Sequence, residues 1–397
     1  MKFSARAQAI APFLAMEFGK RAAAMEAAGH TVIQLNIGEP DFGAPPAVLQ
    51  AAQRVAGDTR MTYTAALGLP ALRQAIADFY LRAHDVRVDA SRVVVTAGAS
   101  AALLLVTAAL VDPGDEVLVG DPSYPCNRQF LAGFGADVRL VPTDASTRFQ
   151  LDSRLVREHW SARTRGLMIA TPSNPTGTSA PPQELRAMCE FARQRDAWRV
   201  VDEIYLDLAD GDAGGRAPAS VLAFDDEAVV INSFSKYFGM TGWRLGWCVL
   251  PPQMVPVVER LAQNYYICPS TLAQHAALAC FEPASIAVCE QRRAEFAARR
   301  RLVLDGLREA GLRVPVEPDG AFYVYIDVSS TGLDAMSFCE RALSEAHVAL
   351  TPGNDFGVSG AARHVRLSYA TSREQLREGL DRLGGFVRAL AAQGRAA

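Results

Sequence analysis

The sequence predicts an α/β protein: a large domain on a mostly parallel, mainly seven-stranded sheet between helices, followed by a smaller α+β domain. Three observations lead there. Short β-rich runs alternate with helical patterns from about residue 48 to 278, as in a sheet wound with crossover helices. The strand candidates are almost wholly apolar, which suits a sheet covered on both faces. And 397 residues exceed what one compact core ordinarily holds.

Residues 1–45 contain no strand pattern of their own and are expected to pack on the second domain or on a partner subunit. Residues 46–282 form the large domain, with strands expected at 92–96, 116–120, 137–141, 166–170, 198–201, 228–232 and 245–249. Helical stretches such as 100–110 and 182–194 lie between them. Residues 283–397 form the second domain. It opens with a long Arg- and Glu-rich helix at 285–310, whose Arg299-Arg300-Arg301 run is expected to be a solvated face. Strands at 321–328 and 364–368 follow, with helices at 335–346 and 372–391.

Composition narrows the function. A net charge near −3 gives no field to hold nucleic acid, which leaves a small-molecule role. The longest uncharged apolar run, 101–111, falls well short of the roughly 20 residues of a membrane span. In the N-terminal stretch Glu17 and Lys20 interrupt the apolar residues and no cleavage signal follows, so a cytoplasmic protein is expected. Seven scattered cysteines (126, 189, 248, 268, 280, 289 and 339) form no C-x-x-C pair. They are expected to be buried thiols, with Cys126 and Cys268 nearest the segments described next. The six histidines show no metal-ligand spacing, and no metal is expected.

Polar groups gather at the ends of the predicted strands, where open α/β sheets bind ligands. Thr96-Ala97-Gly98-Ala99-Ser100 passes from strand to helix. Its free N–H groups and Gly98 suit an anion, although a plain turn explains the pattern equally well. Thr171-Pro172-Ser173-Asn174-Pro175-Thr176-Gly177 is a proline-rich turn that also fixes a side-chain amide. Val200-Val201-Asp202-Glu203-Ile204-Tyr205 ends an apolar strand in a carboxylate. That group is costly to bury unpaired; a cationic ring nitrogen would satisfy it, as would a helix cap or an internal salt bridge. The run from Asn232 to Gly246 carries Lys236 among aromatic residues, with Ser233, Ser235 and Arg244 nearby. Desolvation and neighbouring positive charge would lower the pKa of such a lysine and make it a nucleophile. The hydroxyls and guanidinium could hold phosphate oxygens.

The order Asn-Pro-x-Gly (174–177), Asp-x-x-Tyr (202–205), Ser-x-x-Lys (233–236), then an arginine eight residues on, resembles the class I/II aminotransferases of the aspartate aminotransferase fold type. The likeness runs from Asn36-Ile37-Gly38-Glu39-Pro40-Asp41-Phe42, through Tyr63, Gly68 and Asp112-Pro113-Gly114-Asp115, to Gly320-Ala321-Phe322-Tyr323, Pro352-Gly353 and Val365-Arg366-Leu367-Ser368. The resemblance implies pyridoxal 5′-phosphate as cofactor, carried by Lys236 as a Schiff base. It makes Lys236 the group that moves the proton of the substrate Cα. It implies that Asp202 pairs with the pyridine nitrogen, that Asn174 and Tyr205 bond the ring oxygen, and that Tyr124 stacks on the ring. Gly98, Ala99, Ser100, Ser233, Ser235 and Arg244 would cradle the phosphate. Tyr63 would reach the phosphate of a neighbouring subunit, implying a homodimer. Arg366 would clamp the substrate α-carboxylate beside Gly38 and Asn174. The implied reaction is a ping-pong exchange of an amino group between an L-amino acid and a 2-oxo acid.

The chain departs from aspartate-specific relatives in one respect. Ser100 stands where one bacterial branch has a lysine for the distal carboxylate, and the entrance segment Pro12-Phe13-Leu14-Ala15-Met16-Glu17-Phe18 is largely apolar. A neutral aliphatic or aromatic donor is expected, with 2-oxoglutarate or pyruvate as acceptor by analogy; Phe13, Leu14 and Met16 could equally be core or interface packing. Other chemistry on the same scaffold, such as a carbon–sulfur β-lyase, is the alternative. A cofactor-sensing DNA-binding regulator is not expected, because the family pattern starts almost at the first residue.

Overall fold

The computed structural model describes residues 1–58, 60–211 and 218–396. Its strands are, in chain order, β1 (Ile33–Gln34), β2 (Val93–Thr96), β3 (Glu116–Asp121), β4 (Asp137–Pro142), β5 (Thr164–Ala170), β6 (Trp198–Asp202), β7 (Val229–Ser233), β8 (Gly246–Val249), β9 (Tyr323–Asp327), β10 (Val348–Ala349), β11 (Thr351–Pro352) and β12 (His364–Ser368). Seven of them form one sheet in the order β2-β8-β7-β6-β5-β3-β4. β8 alone runs antiparallel to its neighbours; the other paired strands are parallel.

Side-chain alternation along these strands builds two apolar layers. Val93, Val95, Leu118, Leu167, Ile169, Val201 and Val230 join one buried cluster, whereas Val94, Val117, Val119, Met168, Val200 and Ile231 join the other. Successive residues of a strand point to opposite faces, so a run of valine and isoleucine with no polar member must be covered on both sides. The helix Ala99–Leu110 packs on the helix Val255–Tyr265 over one face; its length of uncharged residues is explained by that burial.

A second sheet, β11-β12-β9, is antiparallel, with Arg366 opposite Tyr325 and Ser368 opposite Tyr323. The helix Ala335–Ala346 packs on it, and the helix Arg373–Ala396 packs on that helix, on Pro283–Glu309 and on β1 and β10. The N-terminal segment reaches this layer, because β1 pairs in parallel with β10 and the helix Leu14–Ala27 contacts β10 and β11.

The Arg299-Arg300-Arg301 run departs from expectation. Arg299 is buried at 5 % exposure and paired with Asp41 at 2.7 Å and Glu295 at 3.0 Å. Arg300 is bonded to Asp210, and only Arg301 is exposed. Asp41 and Asp210, distant in sequence, make the burial affordable beside the local Glu295, and periodicity could not reveal them.

Candidate active site

The parallel strands place their carboxyl ends along one edge of the large sheet. After β2 comes Gly98, after β3 Tyr124, after β5 Asn174; β6 ends in Asp202 and β7 in Ser233. β8 runs the other way, so its start at Gly246 delivers Arg244 to the same edge. The connections from β3 and β5 diverge to opposite sides of β3, which opens the crevice in which such sheets bind ligands.

One end of this crevice is an anion cradle. Gly98 has φ +85° and caps the helix Ala99–Leu110; a Cβ there would lie 2.7 Å from Arg244 Nη2. Only glycine combines that backbone with so close a guanidinium. Arg244 Nη1 donates to the Thr241 carbonyl at 3.0 Å. Ser233 Oγ lies 2.9 Å from Ser235 Oγ and 3.2 Å from the Leu245 carbonyl, and accepts the Ser235 N–H at 3.0 Å. Two hydroxyls, a guanidinium and the free N–H groups of a helix N-terminus are a donor set for phosphate oxygens. Ala99 and Ser100 line the cavity at this end.

At the centre stands Lys236. The chain has three lysines, and this one lines the cavity with its ammonium donating to the Gly38 carbonyl at 2.7 Å. Burial pulls its pKa down to about 8, helped by Arg366 and Arg244 and opposed by Glu39 and Asp202. Asp202 is buried opposite. It accepts the Ile204 N–H at 3.1 Å and, among the described residues, forms no ion pair. Burial pushes its carboxyl up to about 6, against the pull of that N–H and of Lys236. Asn174, Tyr205 and Tyr124 complete the walls. Tyr205 Oη lies 2.9 Å from Tyr323 Oη, and burial raises the pKa of both phenols.

The far wall carries Arg366, in the middle of β12 and 1 % exposed. Nη1 donates to Asn174 Oδ1 at 3.0 Å, Nη2 to the Asn36 carbonyl at 2.6 Å and to Thr351 Oγ1 at 3.3 Å. The guanidinium lies over Tyr323 at 4.6 Å and Phe356 at 4.9 Å. Nε has no partner, and no carboxylate pairs with it among the described residues. Buried Arg199 and Arg299, by contrast, each have one. A buried guanidinium with neutral neighbours and a spare donor is arranged to receive an anion. Gly38 lies beside it: a Cβ there would sit 3.0 Å from Tyr323 Oη and 3.9 Å from Arg366 Nη1.

These groups face one cavity of about 440 Å³. Gly98 lies behind Arg244, and Tyr63 stands apart at 76 % exposure; the remaining site residues expected from the sequence line the cavity. Tyr323, Asn36 and Thr241 line it too; each lies inside a segment that the sequence points to, but none has a role assigned from it. The mouth is formed by Phe13, Met16, Ile37, Lys20 and Glu39, whereas Leu103 lines the cavity from the core. Lys20 is a cation at the rim, exposed and paired with Glu17 at 2.7 Å. Of the cysteines, Cys126 and Cys268 are half-buried, the other five are buried and all are free.

The arrangement fits pyridoxal phosphate: an anion cradle, a buried carboxylate without a cation, an aromatic wall and a low-pKa lysine share one space. Comparison with known proteins agrees. The profile of the family "Aminotransferase class I and II" matches residues 30–383. A valine–pyruvate aminotransferase of Mycobacterium tuberculosis is 38 % identical, covering 95 % of this chain and 97 % of its own. An aspartate/prephenate aminotransferase of Thermus thermophilus is 36 % identical over 98 % of each. The crystal structure of an aminotransferase from M. tuberculosis superposes with a TM-score of 0.94 at 37 % identity, covering 98 % of this chain and 100 % of the other. The chain therefore belongs to the class I and II aminotransferases, pyridoxal-phosphate-dependent enzymes of the aspartate aminotransferase fold.

Proposed function

We propose that this aminotransferase takes its nitrogen from a neutral aliphatic or aromatic L-amino acid and passes it to pyruvate or 2-oxoglutarate in two successive half-reactions. The observation that carries the reading is a pair of cations, part-buried Lys236 and buried Arg366, facing one cavity with no carboxylate paired to either among the described residues. The cofactor, when bound, supplies a carbonyl carbon that accepts the amino group and a ring that delocalises the electrons left on Cα.

The chain's own residues do the rest. Ser233, Ser235, Arg244 and the N–H groups at Ala99 and Ser100 hold the phosphate. Asp202 offers its carboxylate to the ring nitrogen, and Asn174 and Tyr205 offer hydrogen bonds to the ring oxygen. Tyr124 closes one ring face. Arg366, with Asn174 and the Gly38 backbone, takes the donor's α-carboxylate and so turns the Cα–H bond toward Lys236. With a pKa near 8, the Lys236 amine can take that proton and return it at physiological pH. Exposed Tyr63 is the group that a second copy of the chain would bring into its neighbour's cradle, making the working unit a homodimer.

The donor class rests on the mouth. Phe13, Met16 and Ile37 are apolar, Ser100 offers no charge, and the ammonium of Lys20 is turned to Glu17 at the exposed rim. The similarity to a relative named for valine and pyruvate points the same way. The test is kcat/KM for alanine, valine, leucine, phenylalanine and aspartate with each acceptor. A neutral donor should exceed aspartate by at least about tenfold, the scale of one or two methylenes buried in an apolar pocket. A preference for aspartate would refute the donor class. Release of ammonia and pyruvate from cysteine conjugates, without nitrogen transfer, would favour a β-lyase instead.

A further inference from the structure

The helix Leu14–Ala27 starts without a local cap. Its N-cap residue is Phe13, whose side chain accepts nothing. An apolar residue at a position that ordinarily carries Ser, Thr, Asp or Asn leaves N–H groups to be satisfied elsewhere. They are satisfied from the other end of the chain. Asp355 Oδ1 accepts the Leu14 N–H at 2.9 Å and Oδ2 accepts the Ala15 N–H at 3.0 Å. The carboxylate is 4 % exposed, and both its oxygens are engaged by the helix terminus.

The loop that carries Asp355 is tied to the large sheet. Arg128 donates to the Asp355 carbonyl at 2.8 Å, and the Ser123 N–H to the Phe356 carbonyl at 2.9 Å. Asp121, at the end of β3, accepts the Val358 and Ser359 N–H groups at 3.1 and 2.9 Å. Ser123 and Arg128 flank Tyr124, and Phe13 meets the Tyr124 ring edge-on at a centroid distance of 6.2 Å. The circuit closes on itself, from the Tyr124 segment through the 355–359 loop and Asp355 to the helix start and back to Tyr124. Phe13 and Met16 are thereby held on the cavity mouth. A local Ser or Asp cap would satisfy the same N–H groups but would leave the helix free to swing.

We propose that Asp355 is a specificity-positioning residue: by capping the N-terminal helix at long range it fixes Phe13 and Met16 as the wall that meets the donor's side chain. This rests on the neutral-donor reading above. In Asp355→Asn one acceptor becomes an NH2 group facing a backbone N–H, so the wall loosens. With the cofactor-loaded full chain, kcat/KM for leucine and phenylalanine should fall by about tenfold, mainly in KM, the cost of one lost charge-assisted bond. Alanine, whose methyl does not reach the wall, should change by less than about threefold. Phe13→Ala should lower the leucine-to-alanine ratio similarly, and the double variant should add little to either single one. A readout independent of turnover is tryptic cleavage after Lys20 and Arg21, which should accelerate in Asp355→Asn while the cofactor absorbance stays unchanged. If the wild type uses no neutral donor, the donor reading fails, yet faster cleavage would still support the clamp. Equal losses for leucine and alanine, or an unchanged ratio with unchanged cleavage, would overturn it. Should Asp355→Asn not fold, a Phe13→Ala variant that keeps the wild-type leucine-to-alanine ratio overturns it equally.

Discussion

At the scale of single residues the site turns on two cations, buried Arg366 and part-buried Lys236. Arg366 is buried among an amide, a carbonyl and a hydroxyl, and its fork is matched to a carboxylate. Arg366→Lys keeps the charge and loses the fork. We expect kcat/KM for every amino acid to fall by about 10- to 100-fold, mostly through KM, and steady-state kinetics across several donors checks this. Lys236 must lose a proton before it can attack a carbonyl. Its pKa is lowered to about 8 by burial, so the rate of cofactor uptake by cofactor-free protein should rise with pH and level off above about 8; absorbance stopped-flow measures it. A rate independent of pH between 6 and 9, a window bracketing that value, would contradict the assignment. Lys236, Asp202, Asn174, Tyr205 and Arg244 were legible because each sits in a short motif at a strand end, and Arg366 because it stands inside a motif, Val365-Arg366-Leu367-Ser368, on β12. Tyr323 was not, because Tyr323 and Tyr325 share a strand face and alternation cannot tell which reaches the cavity.

At the scale of elements, the strand-to-helix turn after β2 does most of the positioning. Its glycine has φ +85° and lies under a guanidinium. Gly98→Ala combines a disfavoured backbone with displacement of Arg244. Cofactor affinity, followed by absorbance titration, should weaken by about tenfold or more, given 1–3 kcal/mol for such strain; unchanged affinity would mean that Arg244 is not part of the cradle. The seven strands of the large sheet were readable from alternation of β-rich and helical runs. The two-residue strands β1, β10 and β11 were not, since so short a segment has no period. Nor was the capping of the N-terminal helix by Asp355, some 340 residues away, because no local pattern encodes a distant partner.

At the scale of the whole molecule, the two apolar layers hold a polar cluster behind the site. Both ring nitrogens of His84 face acceptors, the Pro218 carbonyl and Asp207 Oδ1, each at 3.0 Å, and only the imidazolium satisfies both. Burial alone would lower its pKa, but Asp207 and Glu203 outweigh that and raise it to about 9. A pKa raised on folding stabilises most below the unfolded value and is lost as pH rises through the folded one. The thermal midpoint should therefore fall between pH 6.5 and about 9, by the equivalent of some 2–3 kcal/mol. Glu203, pushed up to about 7 by burial, acts with the same sign at lower pH. His84→Gln should flatten the upper part of the profile in scanning calorimetry, whereas a wild-type midpoint that climbs over that range would contradict the cluster's charge state.

The amine that joins the cofactor can be identified directly, because the chain has only Lys2, Lys20 and Lys236 to choose from. Lys20 even stands at the cavity mouth. Borohydride reduction of the cofactor-loaded protein followed by peptide mapping should place the pyridoxyl label on Lys236 in stoichiometric amount. Label on Lys20 or Lys2 with Lys236 unmodified would contradict the assignment.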